Sequence, residues 1–254
     1  MCFVGHISGE RQKKMIIIFA TGNKDKLREI REIADRPGIR VLSMKEAGLF
    51  TDPVEDGSTF AENALIKAHA LADALTPGRL AEIRAYCASR SGLVGGSAQD
   101  PVSSRMEAAP DGSDDPVVVL SDDSGLCIDA LDGAPGVQSA RYMGHETSYE
   151  IKNAAILDLL RDVPEERRGA QFVCAVAAVL PDGSDHVETG VMEGQVAYEV
   201  SGNGGFGYDP LFYLPEYGMT SADITEEQKN AISHRGKALR QMMVYLAGEG
   251  LCEY

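Results

Sequence analysis

"VVVLSDDSGLCID", Val117–Asp129, is the stretch on which the reading of this chain turns. Four apolar residues that read as a buried strand run into a hydroxyl, two adjacent carboxylates, a second hydroxyl and a glycine. Adjacent aspartates at a strand end repel each other and add nothing to a core. They point to negative charge held rigidly at a cleft. Where extended geometry persists, Asp122 and Asp123 face opposite ways and take different tasks, one a metal and the other a water. Hard divalent cations want oxygen ligands, and Mg²⁺ is typically held by one or two carboxylates together with substrate phosphates. An acidic turn that merely ends a strand is the structural alternative.

Working outward, "MIIIFA" (Met15–Ala20) is a continuous apolar run and predicts a buried strand. "TGNKDK" follows it, and Leu27, Ile30 and Ala34 then recur at helical spacing, which makes a strand–loop–helix unit. A short strand is predicted at Arg40–Met44, and a helix from Thr59, with Thr59 and Glu62 as a capping box. Its apolar stripe is Ala61, Leu65, Ala68, Ala72 and Leu75. Beyond the central strand, Thr147 and Glu150 read as a second capping box, and Ile151, Ala155 and Leu159 as that helix's buried face. "AQFVCAVAAVLPDGSDHVETGVMEG" predicts two strands joined at "PDGS", a hairpin, and the last helix carries Leu239, Met242, Met243 and Leu246. Alternating strands and helices followed by a hairpin give an α/β fold with a mixed sheet flanked by helices.

The 254 residues suit a single domain, one large or two-lobed, flanked by a short extension at 1–14. Ser91–Asp115 is rich in Gly, Ser, Ala, Pro and Asp and reads as a mobile insertion, because structureless connections beyond about 12–15 residues are uncommon in compact domains. "RLAEIRAYCASR" before it could extend the preceding helix. The formal charge of −15 argues against a nucleic-acid polymer as partner, yet leaves room for a small phosphorylated ligand. Five scattered cysteines without a CxxC pair read as reduced thiols in a cytoplasmic protein. No apolar run approaches the roughly 18 residues that span a membrane, and the first residues lack the apolar core of a signal peptide.

Four further stretches carry chemistry. "ATGNKDK" sets a glycine and small polar residues where a strand meets a helix N-terminus, a natural phosphate cradle to which Lys24 and Lys26 add charge. The same residues serve as an Asn-capped helix start, and the Walker A pattern is absent. "VEDGSTFAENALIKA" places Glu55 and Asp56 before a helix carrying Lys67, which by itself reads as a solvated lysine. "GNGGFGYDPLF" lets backbone approach a ligand closely and offers Phe206 for stacking on a planar ring, or else is a tight turn with Phe206 in the core. "EEQKNAISHRGKAL" gathers Lys229, Ser233, His234 and Arg235, four donors within seven residues, fit for a carbonyl-bearing base, for a phosphate or simply for a solvated face. His6, His69, His145 and His186 show no ligand spacing. Neither a GxSxG elbow nor an HExxH motif is present, which leaves metal-assisted attack by water as the economical chemistry.

In this order "ATGNKDK", "EDGSTFAENALIKA", "SDDSGL", "GAPGVQSARY", "GGFGYDPLF" and "ISHRGKAL" resemble the motifs of the inosine triphosphate pyrophosphatase family, from about Met15 to Leu246 apart from the insertion. The resemblance implies an elongated α/β protein with a cleft between two lobes, usually a homodimer. It implies Mg²⁺-dependent cleavage of deaminated purine nucleoside triphosphates (ITP, dITP, XTP) to monophosphate and pyrophosphate. Carried over by position, Thr21, Gly22, Asn23, Lys24, Asp25, Lys26 and Ser124 would bind phosphates. Glu55 and Asp122 would hold Mg²⁺, and Asp123 beside them would be the general base, with Lys67 meeting the triphosphate. Phe206, Gly207, Tyr208 and Asp209 would wall the base pocket, with Lys229, His234 and Arg235 gripping the purine. Two rivals remain: a Maf-type pyrophosphatase for other nucleotides, against which the "ISHRGKAL" donors argue, and a non-catalytic nucleotide-binding module, against which the intact carboxylates and Lys67 argue.

Overall fold

The computed structural model describes residues 14–89 and 115–254. The N-terminal extension short of Lys14 and the insertion short of Asp115 therefore lie outside the described residues.

One seven-stranded sheet organises the chain: β1 (Met15–Phe19), β2 (Ile39–Ser43), β3 (Val117–Ile128), β4 (Gly169–Val179), β5 (Asp185–Val196), β6 (Phe212–Leu214) and β7 (Met219–Thr220). Its order is β2-β1-β3-β4-β5-β6-β7. β1 pairs in parallel with β2 and β3, and every later pairing is antiparallel, so the sheet is mixed as the sequence predicts. The helices are α1 (Lys24–Ala34), α2 (Phe60–Asp73), α3 (Pro77–Ser89), α4 (Tyr149–Leu159), α5 (Glu226–Ile232) and α6 (His234–Gly248). Pro77 opens α3, so the stretch that the sequence offered as an extension of α2 is helical but forms a helix of its own.

Alternation along β1 sorts the core. Met15, Ile17 and Phe19 face α1 and α6, while Ile16 and Ile18 face α2 and α3. β3 repeats the pattern, with Val118 and Leu120 on the α6 side and Val117 and Val119 on the α2 side. α6 buries Leu239, Met242, Met243 and Leu246, as expected. The hairpin β4–β5 also forms as read, with Val179 opposite Asp185 around the "PDGS" turn.

Three local expectations are corrected. β3 does not end before the aspartates: it runs on to Ile128, with Asp122 opposite Val176 and Asp123 opposite Ala175. The polar residues are tolerated mid-strand because charged partners meet them on both faces. α4 is capped by Ser148, whose side chain accepts from Ile151 N, while Thr147 Oγ1 donates to Met143 O. Its buried residues are Lys152, Asn153 and Ile156, whereas Ile151 and Leu159 are 54% and 56% exposed. Finally, α2 buries Asn63, Ala64, Ala68 and Leu71, and Ala61, Leu65, Ala72 and Leu75 lie at the edge of that contact. That rotation turns Asn63 and Lys67, one helical turn apart, toward β3.

Candidate active site

A cavity of about 300 Å³ opens beside the junction of β1, α1 and β3, and Thr21, Gly22, Asn23, Lys26, Glu55, Lys67 and Asp122 line it. Local rules set each piece. Asn23 caps α1: its Oδ1 accepts from Asp25 N and Lys26 N, and Thr21 Oγ1 accepts from Asn23 N. The cap turns the positive end of the α1 dipole and the Lys26 side chain to the cavity. Lys24 and Asp25 are exposed on the outer side of that turn. On α2 both halves of the Thr59–Glu62 capping box form.

Because β3 stays extended through the acidic pair, Asp122 and Asp123 face opposite sides of the sheet. Asp122 is buried on the α1/α6 side, 2.9 Å from Lys26 Nζ and 3.2 Å from Arg235 Nε. Burial opposes its charge, but Lys26, then Arg235 and Lys67 outweigh it and hold the carboxyl far below the usual range. Asp123 faces α2, where its Oδ2 accepts from Asn63 Nδ2 at 3.2 Å and its Oδ1 lies 3.5 Å from Lys67 Nζ. Desolvation raises its pKa in spite of Lys67 and Lys26. Lys67 also bonds Glu55 Oε2 at 2.9 Å, so the solvated-lysine reading fails here. Desolvation works against the charge of Lys67, yet Asp123, Asp122 and Glu55 raise its pKa, and it stays an ammonium.

Past Asp122 the charges continue as a buried chain. Arg235 NH1 bonds Glu29 Oε2, Arg235 NH2 donates to Ser124 Oγ at 3.3 Å, and Lys229 Nζ lies 3.6 Å from Glu29 Oε1 and 2.7 Å from Asp209 Oδ2. Asp209 accepts in turn from Phe206 N at 2.7 Å. Phe206 spreads its ring 4.9 Å from Lys229 Nζ and 5.6 Å from the Arg235 guanidinium. Gly207 has φ +70°, and its carbonyl accepts from Asn153 Nδ2 at 3.3 Å. Tyr208 is buried and donates its hydroxyl to Ser139 O at 2.8 Å. A Cβ at Gly190 of β5 would collide with the His234 carbonyl, so that glycine lets the start of α6 sit against the sheet. Lys229, Ser233, His234 and Arg235 are all buried, which rules out a solvated face.

His234 stacks on Phe172 with ring centroids 4.9 Å apart, and its Nδ1 has no hydrogen-bond partner among the described residues. Desolvation, then Arg235 and Lys229, push its pKa well below 6.5, so the ring is neutral in the folded protein. A depressed folded-state pKa means that the unfolded chain takes the proton first. The stability this group contributes is complete above 6.5 and is lost as pH falls below it. The loss should approach about 1.4 kcal/mol per pH unit. Urea midpoints at pH 7.5 and 5.5 check this: the drop should be visibly smaller in His234→Asn, and an equal drop would remove His234 as its source.

The sequence reading missed Glu29 and Asn63. Their signal was a polar side chain on an inward helix face: Glu29 beside Ile30 and Ile33, Asn63 beside Ala64. Ser124, by contrast, sits where the alternation of β3 places it, on the Arg235 side.

Comparison with known proteins then decides the family. The Ham1 family model matches residues 17–93 and 94–245. This chain belongs to the Ham1 family. Among its relatives is the dITP/XTP pyrophosphatase of Desulforamulus reducens, 41% identical over 91% of this chain and 96% of the relative. The dITP/XTP pyrophosphatase of Clostridium perfringens is 39% identical over 91% and 97%. The Ham1 protein structure from Staphylococcus aureus superposes with a TM-score of 0.69 at 33% identity, over 92% of this chain and 99% of that one. The motif resemblance to the inosine triphosphate pyrophosphatases is thereby borne out, and so is the α/β fold. No helix among the described residues of this Ham1 chain is long and apolar enough to cross a membrane.

Proposed function

We propose that the chain hydrolyses nucleoside triphosphates carrying a deaminated purine (ITP, dITP, XTP) to monophosphate and pyrophosphate, with Mg²⁺. The observation that carries the reading is the acidic pair on one continuous strand, each carboxylate beside a different lysine of one small cavity. Lys26, Lys67 and the capped N-terminus of α1 converge there, a set suited to the negative charge of a triphosphate. Asp123, with its raised pKa, is suited to take a proton from an attacking water.

The donor set also fits the metal. Among the described residues no three His, Cys, Asp or Glu side chains group as a complete metal cage, but Glu55 and Asp122 both line the cavity with carboxylate oxygens. One or two carboxylates, completed by phosphate oxygens and water, are what Mg²⁺ ordinarily takes. Glu55 and Asp122 would hold it, and when bound it screens the phosphate charge and polarises the phosphoanhydride.

Next to Arg235, the Nδ1 of His234 is a buried polar atom without a hydrogen-bond partner among the described residues. A purine carbonyl at position 6 would accept from it in the tautomer protonated there. Adenine presents an amino donor at that position. Each donor left facing a donor costs roughly 1–3 kcal/mol, so inosine triphosphate should exceed ATP in kcat/KM by at least about fivefold. A panel of nucleoside triphosphates, followed separately for pyrophosphate and orthophosphate, tests both claims. Stepwise orthophosphate release would overturn the reaction, and comparable kcat/KM for ATP and inosine triphosphate would overturn the base assignment.

A further inference from the structure

We infer that Asn63 is a positioning residue for Asp123, fixing which carboxylate oxygen is left to face the water. The inference rests on the proposed role of Asp123 as the base. Asn63 is fully buried on α2, between two groups of opposite hydrogen-bonding character. Its Oδ1 accepts from Gly57 N at 2.8 Å, and its Nδ2 donates to Asp123 Oδ2 at 3.2 Å. A backbone N–H can only donate and a carboxylate can only accept, so the amide has one orientation that satisfies both.

Two consequences follow from that single orientation. Asp123 Oδ2 accepts from Asn63, and Oδ1, 3.5 Å from Lys67 Nζ and without a hydrogen bond among the described residues, is the oxygen left to take a proton. The same amide also ties down the turn that follows Glu55. Gly57 approaches so closely that a Cβ there would stand 2.7 Å from Asn63 Oδ1 and 2.8 Å from Glu62 Cβ, tighter than side chains tolerate. One buried amide thus sets the direction of Asp123 and the seat of the loop that carries Glu55 to Lys67. Groups that orient the residues of a reacting centre typically count for about 10–100-fold in activity.

The test is a double-mutant cycle on pyrophosphate release from inosine triphosphate, at saturating enzyme for the slow variants. Asn63→Ala loses both bonds and Asn63→Leu keeps the bulk of the side chain while losing both, and neither adds a charge beside Asp123. In the otherwise native chain each should lower kcat by about 10–100-fold, with KM changed by less than about threefold. In an Asp123→Asn background the same substitutions should lower the residual rate by a clearly smaller factor, because the part that acts through Asp123 is already gone and only the share that acts through the Glu55 loop remains. Equal fold-losses in both backgrounds would mean a general structural role and overturn the inference, as would native kcat in Asn63→Leu. Should Asn63→Ala fail to fold, Asn63→Leu, which fills the same space without a charge, carries the cycle. Native turnover in Asp123→Asn alone would be a different failure: it removes the proposed base, and Asn63's role with it.

Discussion

Replacing Asp123 by Asn should lower kcat by about 10²–10⁴-fold while nucleotide affinity stays within a few-fold. The substitution is nearly isosteric, and the amide can turn its oxygen to accept the Asn63 Nδ2 bond that Asp123 Oδ2 accepts now. Lys67 keeps its 2.9 Å bond to Glu55, so no buried ammonium is stranded. What disappears is the proton acceptor. The neighbouring residue gives the contrast, because Asp122→Asn strips a buried carboxylate from both Lys26 and Arg235 and should cost stability as well as turnover. Single-turnover rates and affinity for a non-hydrolysable analogue separate the two effects. If Asp123→Asn kept more than half the native rate, Asp122 would become the candidate base.

Much of the scaffold was legible because apolar runs and turn chemistry are local signals. Met15–Phe19 and the two strands around "PDGS" could be read directly, as could the capping box of α2. Misreadings arose where tertiary partners overrule local pattern. Ser121 to Ser124 look like a turn because nothing within the sequence window shows Lys26, Lys67, Asn63 and Arg235 arriving to neutralise them. For α4, the apolar spacing pointed to Ile151 and Leu159, yet the helix buries Lys152, which donates to Ala140 O, and Asn153, which donates to Gly207 O. A polar residue bought inside by a specific hydrogen bond leaves no periodicity to detect. The same reason hid Glu29, whose partner Arg235 lies 206 residues further along the chain. The residues of the two polar regions, around Lys26 and Lys67 and around Phe206 and His234, were singled out through the order of the motifs, whereas the charge chain that joins the regions is visible only in three dimensions.

That chain makes Arg235 the position where substitution should cost the fold most. Its side chain is 3% exposed and reaches Asp122, Glu29 and Ser124 at once. Arg235→Met keeps a long apolar stem but leaves Glu29, among the described residues, with the 3.6 Å contact to Lys229, and Asp122 with Lys26 and the more distant charge of Lys67. Removing one partner of a buried ion pair typically costs about 3–5 kcal/mol, since the other charge stays desolvated. At about 2–4 °C per kcal/mol for a chain of this size, Tm should fall by roughly 10 °C. The cost has a named source, so it should be partly recoverable: adding Glu29→Gln removes the stranded charge, and the double variant should be more stable than Arg235→Met by about 1 kcal/mol or more. Thermal and urea unfolding of the two single variants and the double variant measure this directly. If Arg235→Met melts within 2–4 °C of the native protein, about what 1 kcal/mol is worth, the guanidinium is not what balances the buried carboxylates. If the two substitutions simply add, Glu29 is not the charge it balances, and the continuity of the chain from Asp122 to Asp209 would be geometric only.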